Sequence, residues 1–136
     1  MIRLVSVSKD YSTPRSTERE NGETVHALRS ISLEISRGEF VAVMGPSGCG
    51  KSTLLHITGG LDTPSSGEVW VGDNPVHRMD ERGLSLFRRA GFGVVFQFFN
   101  LLPQLTTLEN VCLPLRLLGI SPGESQKRAS SVLVQV

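Results

Sequence analysis

Two runs of residues without polar interruption stand out in the pattern of this chain, at residues 40–44 and 92–96. Continuous runs of this length are typical of strands that are buried on both faces of a sheet. Looser alternation at residues 2–7 and 28–35 predicts two further strands that pair with each other, and residues 68–71 resume a strand pattern. The chain is therefore expected to build a sheet.

Helical spacing and helix-ending residues fill the intervals between these strands. Residues 53–57 read as a helix that ends at Gly59, and residues 80–89 as a helix that ends at Gly91. Apolar residues then recur every three or four positions from residue 108 to 118. Pro122 occupies a first-turn position ahead of a last helical stretch at residues 125–136. Strands and helices together predict an α/β fold.

The residues between the first apolar run and the first helix spell the pattern G-x-x-x-x-G-K-[ST]. They are Gly45, Pro46, Ser47, Gly48, Cys49, Gly50, Lys51 and Ser52. A strand, a glycine-rich turn and a helix N-terminus direct several backbone N–H groups and the positive end of the helix dipole at one anion. The pattern predicts the phosphate-binding loop, or P-loop, of a nucleoside triphosphate site.

The residue types in this loop each have a chemical role. Its three glycines permit positive φ angles and keep Cβ atoms away from phosphate oxygens. Lys51 is placed to reach the β- and γ-phosphates, and the Ser52 hydroxyl is placed to bind Mg²⁺. Thr53 follows directly and completes the predicted nucleotide-binding set.

Composition narrows the possible partners. The 136 residues carry 14 basic and 13 acidic side chains, a formal charge of +1, which indicates neither a nucleic-acid surface nor an acidic tail. The apolar stretch at residues 111–120 is shorter than the ~20 residues of a membrane span, so any membrane association is expected to run through a partner. Two cysteines and no signal-peptide layout favour the reducing cytoplasm.

The histidines and cysteines do not have metal-ligand spacing, so a zinc site is not expected. We expect His26, His56 and His77 to be structural or solvated. Cys49 lies in an anion-binding loop just before a helix, which favours a reactive thiolate. A small residue that merely fills the loop is an equally good explanation of Cys49.

Four segments resemble the ATP-binding subunits of ABC transporters, at residues 28–35, 37–55, 66–69 and 91–103. The last contains Phe-Gln-Phe-Phe-Asn-Leu-Leu-Pro and resembles the family's Q-loop region. Together with Leu-Thr-Thr-Leu-Glu-Asn-Val at residues 105–111, it is most similar to the branch that serves lipoprotein release and macrolide-type export. The resemblance implies a RecA-like P-loop NTPase core with an N-terminal antiparallel β portion and the start of a helical subdomain.

The resemblance also implies roles for residues outside the P-loop, with ATP and Mg²⁺ as cofactors. Tyr11 matches the aromatic residue that stacks on adenine; the alternative is an ordinary surface tyrosine. Gln97 matches the glutamine that contacts Mg²⁺ and the attacking water, and we predict it to be catalytic together with Lys51. Phe98 and Phe99 match the stretch that faces the membrane subunit, although two adjacent aromatics are equally typical of a core.

We expect residues 1–104 to form the nucleotide-binding core and residues 105–136 to begin the helical subdomain. A Leu-Ser-Gly-Gly-Gln signature, an apolar strand that ends in Asp-Glu and a later switch histidine do not occur in the 136 residues. This incomplete set predicts ATP binding without efficient turnover by these residues alone, because in-line attack needs a positioned water and charge stabilisation. The run at residues 40–44 is also expected to leave an open apolar edge.

The expected partners are integral membrane subunits and a second copy of the ATPase subunit, at the cytoplasmic face of the inner or plasma membrane. Nucleic acid is not expected as a partner. The alternative is an ABC-type ATPase without a transport role, acting in cell division, DNA repair or translation. Neither reading identifies a cargo.

Overall fold

An antiparallel sheet organises the first of two units into which the chain divides, Met1–Leu84. The computed structural model describes residues 1–12 and 24–136. Within these residues the sheet has the strand order β2-β1-β3-β4. The strands are β1 (Ile2–Ser12), β2 (Thr24–Ile35), β3 (Ser66–Val71) and β4 (Asn74–Pro75).

The pairing of β1 with β2 confirms the pairing predicted from the sequence, and both strands are longer than predicted. It begins at Ile2 opposite Ile35 and continues to Ser12 opposite Thr24. Leu4 and Val7 are both buried although they are three residues apart, which strict alternation does not allow. A register irregularity between them, with φ of 48° at Ser6, returns the second side chain to the buried face.

Helix α1 (Lys51–Thr58) lies against β2 and β3. Its Ile57 is fully buried, as is Val69 of β3, and Leu28 of β2 is nearly so. The helix ends at Gly59, as the sequence predicted, and the N–H of Gly60 donates to the carbonyl of Ile57. The apolar side of the helix therefore covers the sheet, while its first turn stays at the surface of the unit.

A 3₁₀ turn (Val76–Arg78) and helix α2 (Glu81–Gly91) follow the sheet. Helix α2 matches the predicted one, with an acidic residue in its first turn and Arg88 and Arg89 in its last. The division between the two units falls within it, between Leu84 and Ser85.

The second unit, Ser85–Val136, contains α3 (Thr107–Leu117) and α4 (Pro122–Leu133), which pack against each other. Their interface includes small buried side chains: Cys112, Ser125 and Ala129. Thr106 and Glu109 form a capping box that fixes the start of α3. Both helices were predicted, and Pro122 does occupy the first turn of the second.

Two of the strands predicted from the sequence are not formed in this structure, so those predictions were wrong. Residues 40–44 and 92–96 have no strand pairing with any part of the chain that the structure describes. Phe40 is 97% exposed, Met44 87% and Val95 fully exposed. A strand buried on both faces needs hydrogen-bonded neighbours and covering layers, and the described residues supply neither. The predicted domain boundary at residue 104 stays a prediction.

Among residues 1–12 and 24–136, no helix is both long and apolar enough to cross a membrane.

Candidate functional site

The P-loop has the backbone geometry that its glycines predict. Gly45, Gly48 and Gly50 have φ angles of 154°, 79° and 91°. A Cβ at Gly50 would lie 2.4 Å from the carbonyl oxygen of Ala27 in β2, so the loop passes too close to that strand for any other residue. A Cβ at Gly48 would meet open space. Gly50 is therefore required by steric contact with β2 as well as by its positive φ angle. Gly48 is favoured by its positive φ angle alone.

The first turn of α1 is ready to bind an anion. Gly50 is its N-cap residue, and the carbonyl of Gly50 accepts from the N–H of Leu54 at 2.9 Å. The preceding N–H groups of a helix have no carbonyl within the helix to bind. No acidic side chain lies in this turn to compete with a phosphate for those donors.

The ammonium of Lys51 lies over the loop. Its Nζ donates to the carbonyl oxygens of Gly45 at 2.9 Å and Pro46 at 2.7 Å. These are neutral acceptors, and a phosphate oxygen would be a stronger, charged one. The contacts thus hold the positive charge where a polyphosphate would cross the loop.

A pocket of about 500 Å³ joins this loop to the sheet. Its volume lies within the range of small-molecule sites. The loop and α1 supply Ser47, Gly48, Gly50, Lys51, Ser52 and Thr53, and the strands supply Tyr11, Val25, His26 and Ala27. Gly45, Pro46 and Cys49 belong to the loop but do not line the pocket. The structure therefore brings the predicted aromatic residue and the predicted phosphate-binding residues to one cavity.

Tyr11 is held by charged neighbours at the end of β1. Its hydroxyl donates to Asp62 Oδ2 at 2.7 Å, and the Lys9 Nζ lies 4.9 Å from the centre of its ring. Burial and the hydrogen bond to Asp62 raise the pKa of the Tyr11 hydroxyl, so it stays protonated at neutral pH. This tyrosine is more constrained than an ordinary surface residue.

Asp62 is the centre of this arrangement. Its Oδ1 accepts from Lys9 Nζ at 2.6 Å. Burial alone disfavours the carboxylate, but the hydrogen bonds from Lys9, Tyr11 and the N–H of Thr63 hold the pKa of Asp62 below its usual value. The carboxylate is therefore charged at neutral pH and able to accept from both side chains at once.

His26 is a pocket residue that the sequence analysis missed. It lies on the pocket wall with a half-exposed side chain, and its Nδ1 is 2.7 Å from Asp10 Oδ1. Since a carboxylate only accepts hydrogen bonds, Nδ1 carries the proton in this contact. Asp10 and His26 face each other in the β1–β2 register. That register is the signal that would have found the pair.

Gln97 lies in the second unit, in a segment without helix or strand. It is exposed, as are Phe98 at 75% and Phe99 at 86%. The two aromatics are therefore surface residues here and not core residues. The role predicted for Gln97 stays a prediction.

Asn110 of α3 anchors the far end of this segment. Its Nδ2 donates to the carbonyls of Leu102, Leu105 and Thr106, and its Oδ1 accepts from the N–H of Leu102 at 2.8 Å. One side chain thus satisfies four backbone groups of the turn before α3. The sequence analysis assigned it no role beyond its place in the Leu-Glu-Asn-Val pattern.

Comparison with known proteins identifies the family. The model of the family described as "ABC transporter" matches residues 28–136. This chain belongs to the ABC transporter family. Among its relatives, the lipoprotein-releasing system ATP-binding protein LolD of Bacteroides thetaiotaomicron is 42% identical, over 98% of this chain and 56% of the relative. An uncharacterized ABC transporter ATP-binding protein of Thermotoga maritima is 50% identical, over 98% of this chain and 54% of its own length.

Solved structures agree with the sequence relatives. A dimeric post-hydrolysis state of the ATP-binding cassette MJ0796, bound to ADP and Pi, superposes with a TM-score of 0.84 at 44% identity. The match covers 96% of this chain and 55% of that one. MJ0796 is an uncharacterized ABC transporter ATP-binding protein of Methanocaldococcus jannaschii. The P-loop NTPase fold predicted from the sequence is thereby confirmed. The chain spans about half the length of the curated relatives it matches.

The residues of the ABC pocket fit the magnesium expected for this family. Mg²⁺ usually keeps several waters and takes few protein ligands, with the rest from substrate phosphates. Ser52, which carries a hydroxyl, lines the same pocket as Lys51. A single hydroxyl beside a phosphate-binding loop is therefore a suitable protein contribution to such a site.

Proposed function

We propose that this chain is the ATP-binding part of an ABC transporter ATPase subunit that couples ATP binding and hydrolysis to export through separate membrane subunits. The observation that carries the proposal is the single pocket shared by Tyr11 and the P-loop. An aromatic ring that can stack on a base and N–H and ammonium groups that can donate to phosphates are the two kinds of group that a nucleotide site needs. Family membership supports ATP as that nucleotide.

The proposed complex gives roles to Lys51, Ser52 and Tyr11, which line the pocket, and to Gln97 of the second unit. The Lys51 ammonium and the N–H groups at the start of α1 bind the β- and γ-phosphates. Ser52 binds Mg²⁺, which neutralises phosphate charge when present. Tyr11 stacks on adenine. Gln97 is proposed to orient the attacking water and contact Mg²⁺ through its neutral amide.

The proposed partners are integral membrane subunits and a second copy of the ATPase. Two observations support them: the exposed apolar side chains next to Gln97, and the dimeric state named for MJ0796. The proposed location is the cytoplasmic face of the inner or plasma membrane. Relatives named as lipoprotein-releasing proteins favour export over the non-transport alternative.

Equilibrium binding of a fluorescent ATP analogue, with and without Mg²⁺, tests the proposal. Lys51→Ala is expected to weaken binding by about 10- to 100-fold, the loss of a charge-assisted contact worth about 1.5–3 kcal/mol. Lys127→Ala, an exposed lysine on α4, is the matched control. Equal binding by both variants would show that the P-loop is not the nucleotide site.

Turnover is tested separately by phosphate release. We expect residues 1–136 alone to release phosphate at the background rate, since an apolar strand that ends in Asp-Glu, which the family resemblance implies as the source of the water-positioning acid, does not occur in them. Rapid release that depends on Lys51 would contradict this expectation. Co-purification with a membrane protein, against co-purification with nucleic acid, separates transport from the alternative role.

A further inference from the structure

Tyr11 is not held in the pocket by its own backbone position. It lies near the end of β1 and is 40% exposed, so its side chain would otherwise sample several rotamers. The Asp62 carboxylate prevents this by accepting from the Tyr11 hydroxyl with one oxygen and from Lys9 with the other. The ring is therefore tethered at its polar edge by a residue that is distant in sequence.

The tether is itself rigid. Lys9 Nζ also donates to the carbonyl oxygen of Thr63 at 2.8 Å, and Asp62 Oδ1 accepts from the N–H of Thr63 at 2.7 Å. The Lys9 side chain is only 12% exposed and that of Asp62 27%. Partial shielding from water strengthens such contacts relative to exposed ion pairs.

Lys9 also determines which face of the ring is available. Its ammonium lies over the ring, 4.9 Å from the centroid, in cation–π geometry. An adenine base can then stack only on the opposite face of Tyr11. Tyr11 is among the residues that line the pocket, whereas Lys9 is not.

Helix α1 connects the P-loop to the turn that carries Asp62. The P-loop Lys51 begins the helix, and the turn after it carries Asp62, whose N–H donates to the carbonyl of His56 at 3.3 Å. Eight residues span about 12 Å at the helical rise of ~1.5 Å per residue. One short rigid element thus supports the phosphate-binding loop at its start and the tether of the aromatic ring at its end.

We propose that Asp62, together with Lys9, is a positioning residue that holds the Tyr11 ring in its base-stacking orientation before the nucleotide binds. This inference rests on the proposed function, because it takes Tyr11 as the adenine-stacking residue. The Tyr11 ring is already ordered in the free protein, so its side-chain entropy is lost before the nucleotide binds. Binding therefore avoids the immobilisation of a side chain, worth about a two- to tenfold gain in affinity.

The test compares ATP with tripolyphosphate, which has the phosphates but not the base. Tyr11→Phe keeps the ring and removes the tethered hydroxyl, while Asp62→Ala removes the acceptor. Each is expected to weaken Mg-ATP binding about three- to tenfold and to leave Mg-tripolyphosphate binding unchanged. For ATP binding the double variant is expected to be no weaker than the worse single variant, since the Tyr11–Asp62 hydrogen bond is lost in each of them. Asp62→Asn, which keeps an acceptor oxygen, should give a smaller loss than Asp62→Ala.

Asp73→Ala, an exposed aspartate in the turn between β3 and β4, is the control and should bind both ligands normally. If Tyr11→Phe and Asp62→Ala bind ATP as well as the unmodified protein while Tyr11→Ala does not, stacking needs no positioning and the inference is wrong. Parallel losses for ATP and tripolyphosphate would assign Asp62 a purely structural role and also overturn it. The failure of the proposed function looks different: Lys51→Ala and Tyr11→Ala would then leave ATP binding intact.

Discussion

The P-loop and the segment around Gln97 are preceded by similar sequences but differ in structure. Each follows an apolar run that the sequence predicts to be a buried strand, and neither run is paired among the described residues. The P-loop nevertheless has its glycine conformations, its helix and its pocket. The Gln97 segment exposes its side chains and is anchored mainly at one end by Asn110. The P-loop therefore keeps its geometry without strand pairing of the run that precedes it.

The geometry of the P-loop is tested most strongly by substitution of its glycines. Gly50→Ala combines a positive φ with a backbone contact of 2.4 Å, and is expected to lower the free energy of unfolding by at least about 2 kcal/mol and to abolish measurable ATP binding. Gly48→Ala, at a positive φ in open space, is the matched control and should cost only about 1 kcal/mol. Urea unfolding and ATP titration measure the two effects. Equal costs would show that contact with β2 does not shape the loop.

The segment around Gln97 is tested by replacement of its two exposed aromatic side chains. Replacing both Phe98 and Phe99 with serine is expected to abolish capture of the proposed membrane subunits, because the change removes large apolar side chains from a contact surface. ATP binding and stability should change little, within about 0.5 kcal/mol, since neither side chain is buried. Pull-down from detergent extract and urea unfolding provide the two measurements. A large loss of stability would place these rings in a core and contradict the structure.

Cys49 offers a milder test of how close the loop lies to the nucleotide. Its side chain is exposed, with Sγ 3.7 Å from Lys51 Nζ. We expect Mg-ATP to slow alkylation of Cys49 several-fold, because bound phosphate covers the loop. Cys112 is buried in the second unit and serves as an internal control. Equal labelling rates with and without Mg-ATP would rule out this protection.

The smallest expected effect is on the pH dependence of stability, to which the Asp62 carboxylate contributes. Its pKa in the folded protein lies below the ordinary value of 3.8, so the carboxylate contributes stability above that value and loses it as the pH falls through the lower, folded value. Asp62→Asn should therefore be less stable than the unmodified protein at pH 7, and the difference should shrink below about pH 4. Urea midpoints of both proteins at several pH values measure it. A difference that grows on acidification would have the wrong sign.

Local chemistry explains why much of the fold was predictable. The end of α1 at Gly59 is followed by a positive φ of 64° at Gly60, and the start of α4 uses the missing N–H of Pro122, both of which depend on neighbouring residues. The prediction of strands at residues 40–44 and 92–96 failed for the opposite reason. Strand pairing is a long-range property, and an apolar run records only that a partner is needed.

The P-loop and its helix were determined by the sequence itself, because glycines, a lysine and a hydroxyl at fixed spacing leave few other structures and chemistries. The ABC family was indicated by the resemblance of four segments of the sequence. Only the tertiary structure placed Tyr11 on the same pocket as that loop and put Asp62 and His26 beside it. These contacts join residues as much as 51 positions apart. Their geometry depends on strand register and on the packing of α1 against the sheet, which no local pattern encodes.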